Sequence, residues 1–163
     1  MTTRVASVVE PLGSDIVALA QCIAIDVASF PHPSLPPVLA GPIETHPVLV
    51  ARHTSPSGER GPVQGFCVGR WRRGWLEIMG LAVDARARRQ GVGRSLLQAA
   101  VRLARARGVG AVVLHVSTGN PGARALYQSE GFYESRLLHH FYASDAFPDE
   151  GAAIEMILEL GGG

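Results

Sequence analysis

A short basic stretch with two glycines, residues 88–94, has the clearest chemical potential in this 163-residue sequence. It follows an apolar run at residues 76–83 and precedes a helical pattern at residues 95–104, so it lies where a strand passes into a helix. Gly91 and Gly93 have no Cβ, and an anion can therefore approach the N–H groups of the first helical turn, with the helix dipole behind them. Arginines within the stretch add positive charge. The stretch predicts a phosphate-binding turn, and a basic turn that only opens a helix is the alternative.

Composition restricts the classes of protein to consider. A hydrophobic fraction of 47% is typical of one domain with a real core, predicted here over residues 1–160 with a frayed tail at 161–163. The net charge of +1 gives no reason to expect a nucleic-acid or membrane partner. Cys22 and Cys67 have no metal-like spacing, so we expect no metal site and a reducing compartment. The sequence shows no membrane span or signal peptide, which predicts a cytoplasmic protein.

The first half of the chain predicts three strands, one amphipathic helix and a proline-rich loop. Apolar residues recur at three- and four-residue spacing between residues 15 and 29, which indicates a helix with Ser14 as its N-cap. Prolines between residues 30 and 47 exclude a long regular element there. The predicted strands of this half are residues 4–9, 48–53 and 63–71.

The second half alternates strands and helices around residues 88–94. A strand at 75–83 contains Gly80, an interruption that indicates a bulge or a close approach to the backbone by another group, with simple tolerance of glycine in the strand as the alternative. Asn120 and Pro121 are residue types of a helix N-cap and first turn, and Gly131 is placed to end that helix. The remaining predicted elements are helices at 91–107 and 123–130 and strands at 111–116, 132–142 and 153–160. This order predicts a mixed sheet with helices on its faces.

Two segments together resemble the GCN5-related N-acetyltransferase (GNAT) family. Arg88, Gly91 and Gly93 match the family's acyl-CoA pattern, Gln/Arg-x-x-Gly-x-Gly/Ala. Residues 120–132 are similar to a second signature, in which an asparagine opens a helix, a tyrosine follows two turns later and Gly-Phe comes next. The pair is far more specific than either motif alone. The resemblance implies an α/β (α+β) fold, with a mixed, mostly antiparallel sheet of about seven strands, flanking helices and splayed central strands.

The same resemblance implies acetyl-CoA as cosubstrate, between the strand that ends at Val83 and the strand that ends at Val116, separated by a bulge near Gly80. The N–H groups of residues 89–94 would take the pyrophosphate, and the pantetheine arm would pair like an extra strand. Asn120 would contact the coenzyme or would only cap its helix. The implied coenzyme-binding residues are Leu81, Ala82, Val83, Arg88, Arg89, Gln90, Gly91, Val92, Gly93, Arg94, Ser95 and Asn120.

Acetyl transfer to an amine needs a base that removes a proton from the ammonium and a donor near the leaving thiolate. Tyr127 matches the family tyrosine proposed as that donor, with a core aromatic as the alternative. Two residues are candidates for the base: Glu77, at the position of a glutamate in histone-type members, and His115, at the position of a histidine in the protein N-terminal acetyltransferases. A core histidine is the alternative for His115. Neither motif contains a cysteine, which predicts direct transfer in a ternary complex.

Features outside the two motifs resemble the protein N-terminal acetyltransferase branch of the family. Leu114-His115-Val116 precedes the asparagine helix as it does there, and Ile78-Met79 stands in a similar context. A Phe-Pro loop and an aromatic pair over the peptide imply four substrate-binding residues: Phe30, Pro31, Phe141 and Tyr142. Glu77 in place of a tyrosine and Gly119 in place of a serine or threonine depart from that branch and leave room for a different substrate.

We therefore expect an N-acetyltransferase that acts on a primary amine, with a peptide N-terminus as the first choice of acceptor. Small-molecule amines such as polyamines or antibiotics are the alternative acceptors. A non-catalytic acyl-CoA-binding domain is the alternative to an enzyme. The sequence is compatible with a monomer and with a homodimer.

Overall fold

The computed structural model describes residues 7–30, 33–35, 41–141 and 151–161 of the chain. These residues form seven strands: β1 Ser7–Pro11, β2 Val48–Thr54, β3 Arg60–Arg72, β4 Trp75–Val83, β5 Ala111–Ser117, β6 Tyr133–Leu138 and β7 Ala153–Glu159. The described residues also form the helices α1 Ile16–Ser29, α2 Val92–Arg107 and α3 Pro121–Ser129, and 3₁₀ turns occur at Ile43–Thr45 and Ala85–Ala87. Within the described ranges, no helix has the length and apolar character needed to cross a bilayer.

The strands form one sheet with the order β1-β2-β3-β4-β5-β7-β6. β4 and β5 are parallel, whereas β1–β2, β2–β3, β5–β7 and β6–β7 are antiparallel. The ladder between β4 and β5 runs from Trp75 and Ala111 to Ile78 and Leu114, and both strands continue past its last pair. This mixed, mostly antiparallel sheet with three helices confirms the fold class expected from the sequence.

The chain divides into two compact units, and the first contains the described residues up to Gly69 together with Gly80–Ala100. Its strands β1, β2 and β3 pair antiparallel. Helix α1 is joined to β3 because the Val63 N–H donates to Gln21 Oε1 at 3.0 Å. The core of this unit includes the fully buried side chains of Ala18, Cys22, Leu35, Val50, Phe66, Val68, Leu96 and Leu97. Burial of this apolar surface supplies the main stabilisation of the unit.

The second unit contains Arg70–Met79 and the described residues from Val101 onward. Strand β5 lies between the start of β4 and β7, and β6 pairs with the other side of β7. Burial alternates along β5, since Val112, Leu114 and Val116 are buried and the residues between them are only partly buried. Successive side chains of a strand point to opposite faces. His115 therefore lies on the less buried face of β5.

The structure corrects one predicted boundary residue. Asp15, not Ser14, is the N-cap of α1, because its Oδ1 accepts a hydrogen bond from the Ala18 N–H at 2.8 Å. This bond lowers the pKa of Asp15 below its ordinary value.

Other element ends shift by a few residues, and β6 ends at Leu138 rather than at residue 142. Residues 4–6 of the predicted first strand, Pro31, Tyr142 and residues 162–163 of the predicted tail lie outside the described ranges. A single domain over residues 1–160 stays a prediction.

Candidate active site

Residues 88–94, which we call the phosphate turn, connect the 3₁₀ turn after β4 to helix α2. Arg89 has φ 60° and Gly91 has φ 81°, both in the left-handed region. The Gly91 carbonyl accepts hydrogen bonds from the N–H and the Oγ of Ser95, at 3.0 Å each. The N–H groups of Val92 and Gly93 come before the first intrahelical hydrogen bond, so they point out of the helix end. This backbone arrangement suits an anion.

The phosphate turn is anchored to the first unit by buried side chains and by side-chain hydrogen bonds. Val92, Leu96 and Leu97 are almost completely buried. Arg88 Nε donates to the Val83 carbonyl at 3.3 Å, which ties the turn to the end of β4. The side chains of Arg88, Arg89, Gln90 and Arg94 are exposed. The turn thus combines a fixed backbone with accessible positive charge.

The last residues of β4, Leu81, Ala82 and Val83, are packed against β3 at Gly65. A Cβ at Gly65 would lie 2.7 Å from the Ala82 carbonyl oxygen and 3.1 Å from Leu96 Cδ1. Real Cβ atoms do not approach a carbonyl oxygen so closely, and position 65 therefore requires glycine. The close approach fixes the end of β4 against the start of α2.

Gly80, earlier in β4, is the site of a second close approach. A Cβ there would overlap Ser34 Oγ, and it would lie 3.0 Å from Ser34 Cβ and 3.3 Å from Val68 Cγ1. Of the explanations that the sequence left open for Gly80, the structure shows the close approach, and a side chain of the proline-rich segment makes it.

Asp26 holds that segment and was missed by the sequence analysis. Its carboxylate is fully buried, and it accepts hydrogen bonds from Ser34 Oγ at 2.9 Å and from the Leu35 N–H at 2.8 Å. Phe30, the C-cap of α1, donates its N–H to the Asp26 carbonyl at 3.1 Å. A usable signal existed, because Asp26 is the one charged residue in the helix sequence IVALAQCIAIDVAS. A buried carboxylate needs partners, and here the partners are Ser34 and Leu35, which Asp26 holds in place.

In the second unit, a set of side chains that we call the His115 cluster comprises His115, Arg136, Phe141 and Glu155. His115 Nε2 lies 3.3 Å from Glu155 Oε2. Arg136 donates from Nε to Glu155 Oε1 and from Nη2 to Glu155 Oε2, at 3.1 Å each. The rings of His115 and Phe141 stack with centroids 4.6 Å apart and an interplanar angle of 23°. The imidazole is thus contacted by Glu155 at its Nε2 edge and by Phe141 on one ring face.

Strand register explains why the polar members of the cluster meet. His115 on β5 is directly opposite Glu155 on β7, and Glu155 is directly opposite Arg136 on β6. Side chains of directly opposed residues lie on the same face of a sheet. Hydrogen bonds from Arg136 hold the pKa of Glu155 below its ordinary value, so the carboxylate is ionised at neutral pH.

Glu77, the other candidate base, has a different environment. Its Oε2 accepts hydrogen bonds from Arg72 Nε at 2.7 Å and from Arg70 Nε at 3.3 Å. Glu77 on β4 is the parallel partner of Val113, two residues before His115, so Glu77 and His115 lie on the same face of the sheet. The Glu77 carboxylate is the centre of an ion-pair network, whereas His115 faces one carboxylate.

Tyr127 and Asn120 lie at the two ends of helix α3. Tyr127 is 8% exposed, and its ring packs at 6.1 Å from that of Phe132. Asn120 is the N-cap, and its Oδ1 accepts from the Ala123 N–H at 3.1 Å. Gly131, with φ 93°, follows the C-cap residue Glu130, as the sequence predicted. These contacts are compatible with Tyr127 as the proton donor to the thiolate or as a core aromatic, and with Asn120 as a coenzyme contact or as a helix cap only.

The predicted site residues fall into two groups, each within one unit. The first unit holds Phe30, Leu81–Val83 of the predicted coenzyme strand and the phosphate turn with Ser95. The second unit holds Glu77, His115, Asn120, Tyr127 and Phe141. Among the described residues, no group of three or more His, Cys, Asp or Glu side chains is arranged to hold a metal ion.

Parts of this chain are similar in sequence to known acetyltransferases. A model described as the acetyltransferase (GNAT) family matches residues 23–132. The [ribosomal protein bS18]-alanine N-acetyltransferase of Escherichia coli (strain K12) is 38% identical over 65 residues, or 40% of this chain and 44% of that enzyme. The mycothiol acetyltransferase of Beutenbergia cavernae is 48% identical over 56 residues, or 34% of this chain and 19% of that enzyme. The aligned segment thus spans less than half the length of either relative.

A solved structure extends the similarity along the chain. The crystal structure of the ribosomal-protein-S18-alanine N-acetyltransferase from Escherichia coli matches with a TM-score of 0.77 and 25% sequence identity. The match covers 96% of this chain and 95% of the other.

Proposed function

Because this chain belongs to the acetyltransferase (GNAT) family, we propose that it transfers the acetyl group of acetyl-CoA to the free amino group at the N-terminus of a protein or peptide. The observation that carries the choice of acceptor is the similarity to the ribosomal-protein-S18-alanine N-acetyltransferase along 96% of the chain. The phosphate turn, Leu81–Val83, Ser95 and Asn120 bind the coenzyme in this proposal. Phe30 and Phe141, together with Pro31 and Tyr142 outside the described ranges, contact the acceptor.

The phosphate turn has features that favour the binding of a pyrophosphate. Exposed N–H groups at a helix start, left-handed residues at positions 89 and 91 and nearby arginines all favour an anion there. The pantetheine arm carries amide groups that can pair with an open strand backbone, and the end of β4 offers such a backbone. The rigid packing at Gly65 keeps that backbone in place.

His115 is the base in this proposal, and Glu77 is not. The Glu77 carboxylate already accepts hydrogen bonds from two guanidinium groups. His115 Nε2 lies beside Glu155, and the second ring nitrogen, Nδ1, accepts the proton of the acceptor in this proposal. A histidine is also suited to exchange protons near neutral pH.

The proposed reaction forms one C–N bond and breaks the C–S bond of the thioester. The ammonium of the acceptor loses one proton to His115, and the resulting amine attacks the acetyl carbonyl. Tyr127 gives its proton to the departing CoA thiolate, and the second proton lost by the nitrogen restores the tyrosine. The products are an amide, free CoA and one released proton.

The transfer is direct, without an acyl-cysteine intermediate. Burial raises the pKa of Cys22 to about 11 and that of Cys67 to about 12. Both thiols are therefore protonated at neutral pH and are poor nucleophiles.

Thiol release from acetyl-CoA across an acceptor panel tests the proposal. The panel contains peptides with a free N-terminus, the same peptides with a blocked N-terminus, a polyamine and an aminoglycoside. We expect turnover with the free peptides only, and a loss of about 10²-fold to 10⁴-fold in kcat for His115→Ala and for Tyr127→Phe. Glu77→Gln is the control for the base and should retain most of the activity.

Each contrary result has a distinct meaning. Turnover with the polyamine or the aminoglycoside alone would transfer the activity to small-molecule amines. Unchanged turnover in both the His115 and the Tyr127 variants would remove the catalytic assignment. Calorimetric binding of acetyl-CoA with no product from any acceptor would favour a non-catalytic acyl-CoA-binding domain.

A further inference from the structure

We infer that Glu155 is a positioning residue: its carboxylate holds the Nε2 edge of the His115 ring, so that Nδ1 is the nitrogen that accepts the proton from the acceptor amine. The inference rests on the proposed role of His115 and extends it to a residue outside both sequence motifs. Glu155 lies on β7, at a sequence separation of 40 residues from His115.

The position of the Glu155 carboxylate is fixed from the side opposite to His115. Arg136 forms a two-bond fork with its two oxygens at 3.1 Å each. The Glu155 side chain is 12% exposed, against 64% for Arg136, so the carboxylate is the more buried partner of the pair. A carboxylate held in this way loses little freedom when it also contacts an imidazole.

The protonation state of Glu155 determines which His115 nitrogen carries the hydrogen. An ionised carboxylate accepts hydrogen bonds and donates none, and a neutral imidazole has one N–H donor and one acceptor nitrogen. Contact at 3.3 Å between Nε2 and Glu155 Oε2 therefore selects the tautomer with the hydrogen on Nε2. Nδ1 is left with a lone pair.

The same carboxylate also compensates the charge that forms during the reaction. When Nδ1 takes the proton, the ring becomes an imidazolium, and its Nε2–H still faces Glu155. Glu155 itself gains no proton in this step. Stacking of Phe141 on the ring restricts its rotation and keeps the two nitrogens in these roles.

Steady-state kinetics of Glu155→Gln test the inference, with Glu159→Gln as the matched control. Glu159 lies on the same strand and accepts a hydrogen bond from Tyr133 at 3.1 Å, away from His115. We expect Glu155→Gln to lower kcat about tenfold or more, as part of the 10²-fold to 10⁴-fold effect of a general base. The KM for acetyl-CoA should not change, and Glu159→Gln should behave as wild type.

A double-mutant cycle separates positioning from a purely structural role. In the His115→Ala background, Glu155→Gln should have no further effect on kcat, because the group that it positions is absent. Arg136→Gln, a change at an exposed side chain that leaves the fold intact, should lower kcat by a smaller factor. Equal kcat for Glu155→Gln and Glu159→Gln, with His115→Ala inactive, would overturn the inference and leave the proposed function standing.

Nitrogen-15 NMR of the histidine rings gives a readout that needs no activity. The sequence has six histidines, and the His115→Ala spectrum assigns the His115 signals. We expect an Nε2–H resonance of His115 that is protected from water exchange in the wild type and lost in Glu155→Leu. An unprotected signal in the wild type would overturn the inference, even if no acceptor were found and the proposed function had failed.

Discussion

The phosphate turn and the His115 cluster are built from opposite kinds of contact. The turn is a contiguous stretch, and its proposed anion-binding surface consists of backbone N–H groups and two left-handed residues. The cluster consists of side chains from β5, β6 and β7 and the residue Phe141 beyond β6. Local backbone chemistry leaves a recognisable sequence pattern, whereas a cluster assembled by strand register does not. This difference explains why a sequence pattern predicts the proposed coenzyme site, whereas no such pattern predicts the contact between Glu155 and His115.

The largest effect should come from a non-local contact that supports the residues on both sides of the phosphate turn. Gly65→Ala places a Cβ 2.7 Å from the Ala82 carbonyl oxygen, so β3 or β4 must shift. We expect the free energy of unfolding to fall by about 1 to 3 kcal/mol, and the KM for acetyl-CoA to rise. Urea unfolding and kinetics measure the two effects.

Gly122→Ala in α3 is the control for Gly65→Ala, because the nearest atom to its new Cβ is 4.0 Å away. It should be neutral or slightly stabilising. Equal stability of the two variants would show that the phosphate turn needs no support from β3. The phosphate turn would then be a purely local site, in contrast to the non-local His115 cluster.

A smaller effect should follow from a change within the turn. Gly91→Ala meets no atom within 4 Å, but the residue has φ 81°, where an L side chain is strained. The strain costs about 1 to 2 kcal/mol, which corresponds to a rise of about tenfold in the KM for acetyl-CoA. The kcat should hardly change, in contrast to Glu155→Gln. A fall in kcat with an unchanged KM would contradict the assignment of the turn to coenzyme binding.

The smallest effect concerns the stability that the His115 cluster contributes. Arg136 lowers the pKa of Glu155 in the folded state. A lowered carboxylate pKa stabilises the fold above the pKa of the unfolded state, about 4.3 for glutamate, and this stabilisation is lost as the pH falls through the lower folded value.

Arg136→Gln should therefore reduce the free energy of unfolding at pH 7 only slightly, since the guanidinium is 64% exposed and screened by solvent. The difference from wild type should shrink when urea unfolding is repeated at about pH 3. A difference that is equal at both pH values would mean that packing, rather than charge, links Arg136 to Glu155.

Much of the fold was accessible to sequence reasoning because each element carries its own signal. Asn120, Pro121 and Gly131 delimit α3, and the alternation along β7 identifies a strand with one buried face. The N-cap of α1 was misplaced by one residue because Ser14 and Asp15 are both good caps, and only the bond to the Ala18 N–H distinguishes them. Asp26 stands out in the sequence as the one charged residue of its helix, but its partners Ser34 and Leu35 could not be predicted, since they belong to a proline-rich segment without periodicity.

The sequence by itself determined the family pattern, the order of the elements and the phosphate turn, because residues adjacent in the chain create those features. Tertiary structure decided which side chains lie beside each candidate base. It placed Glu77 among arginines and His115 beside a carboxylate that Arg136 holds ionised. The physical reason is strand register, which selects one opposing residue on each neighbouring strand and which no local pattern encodes.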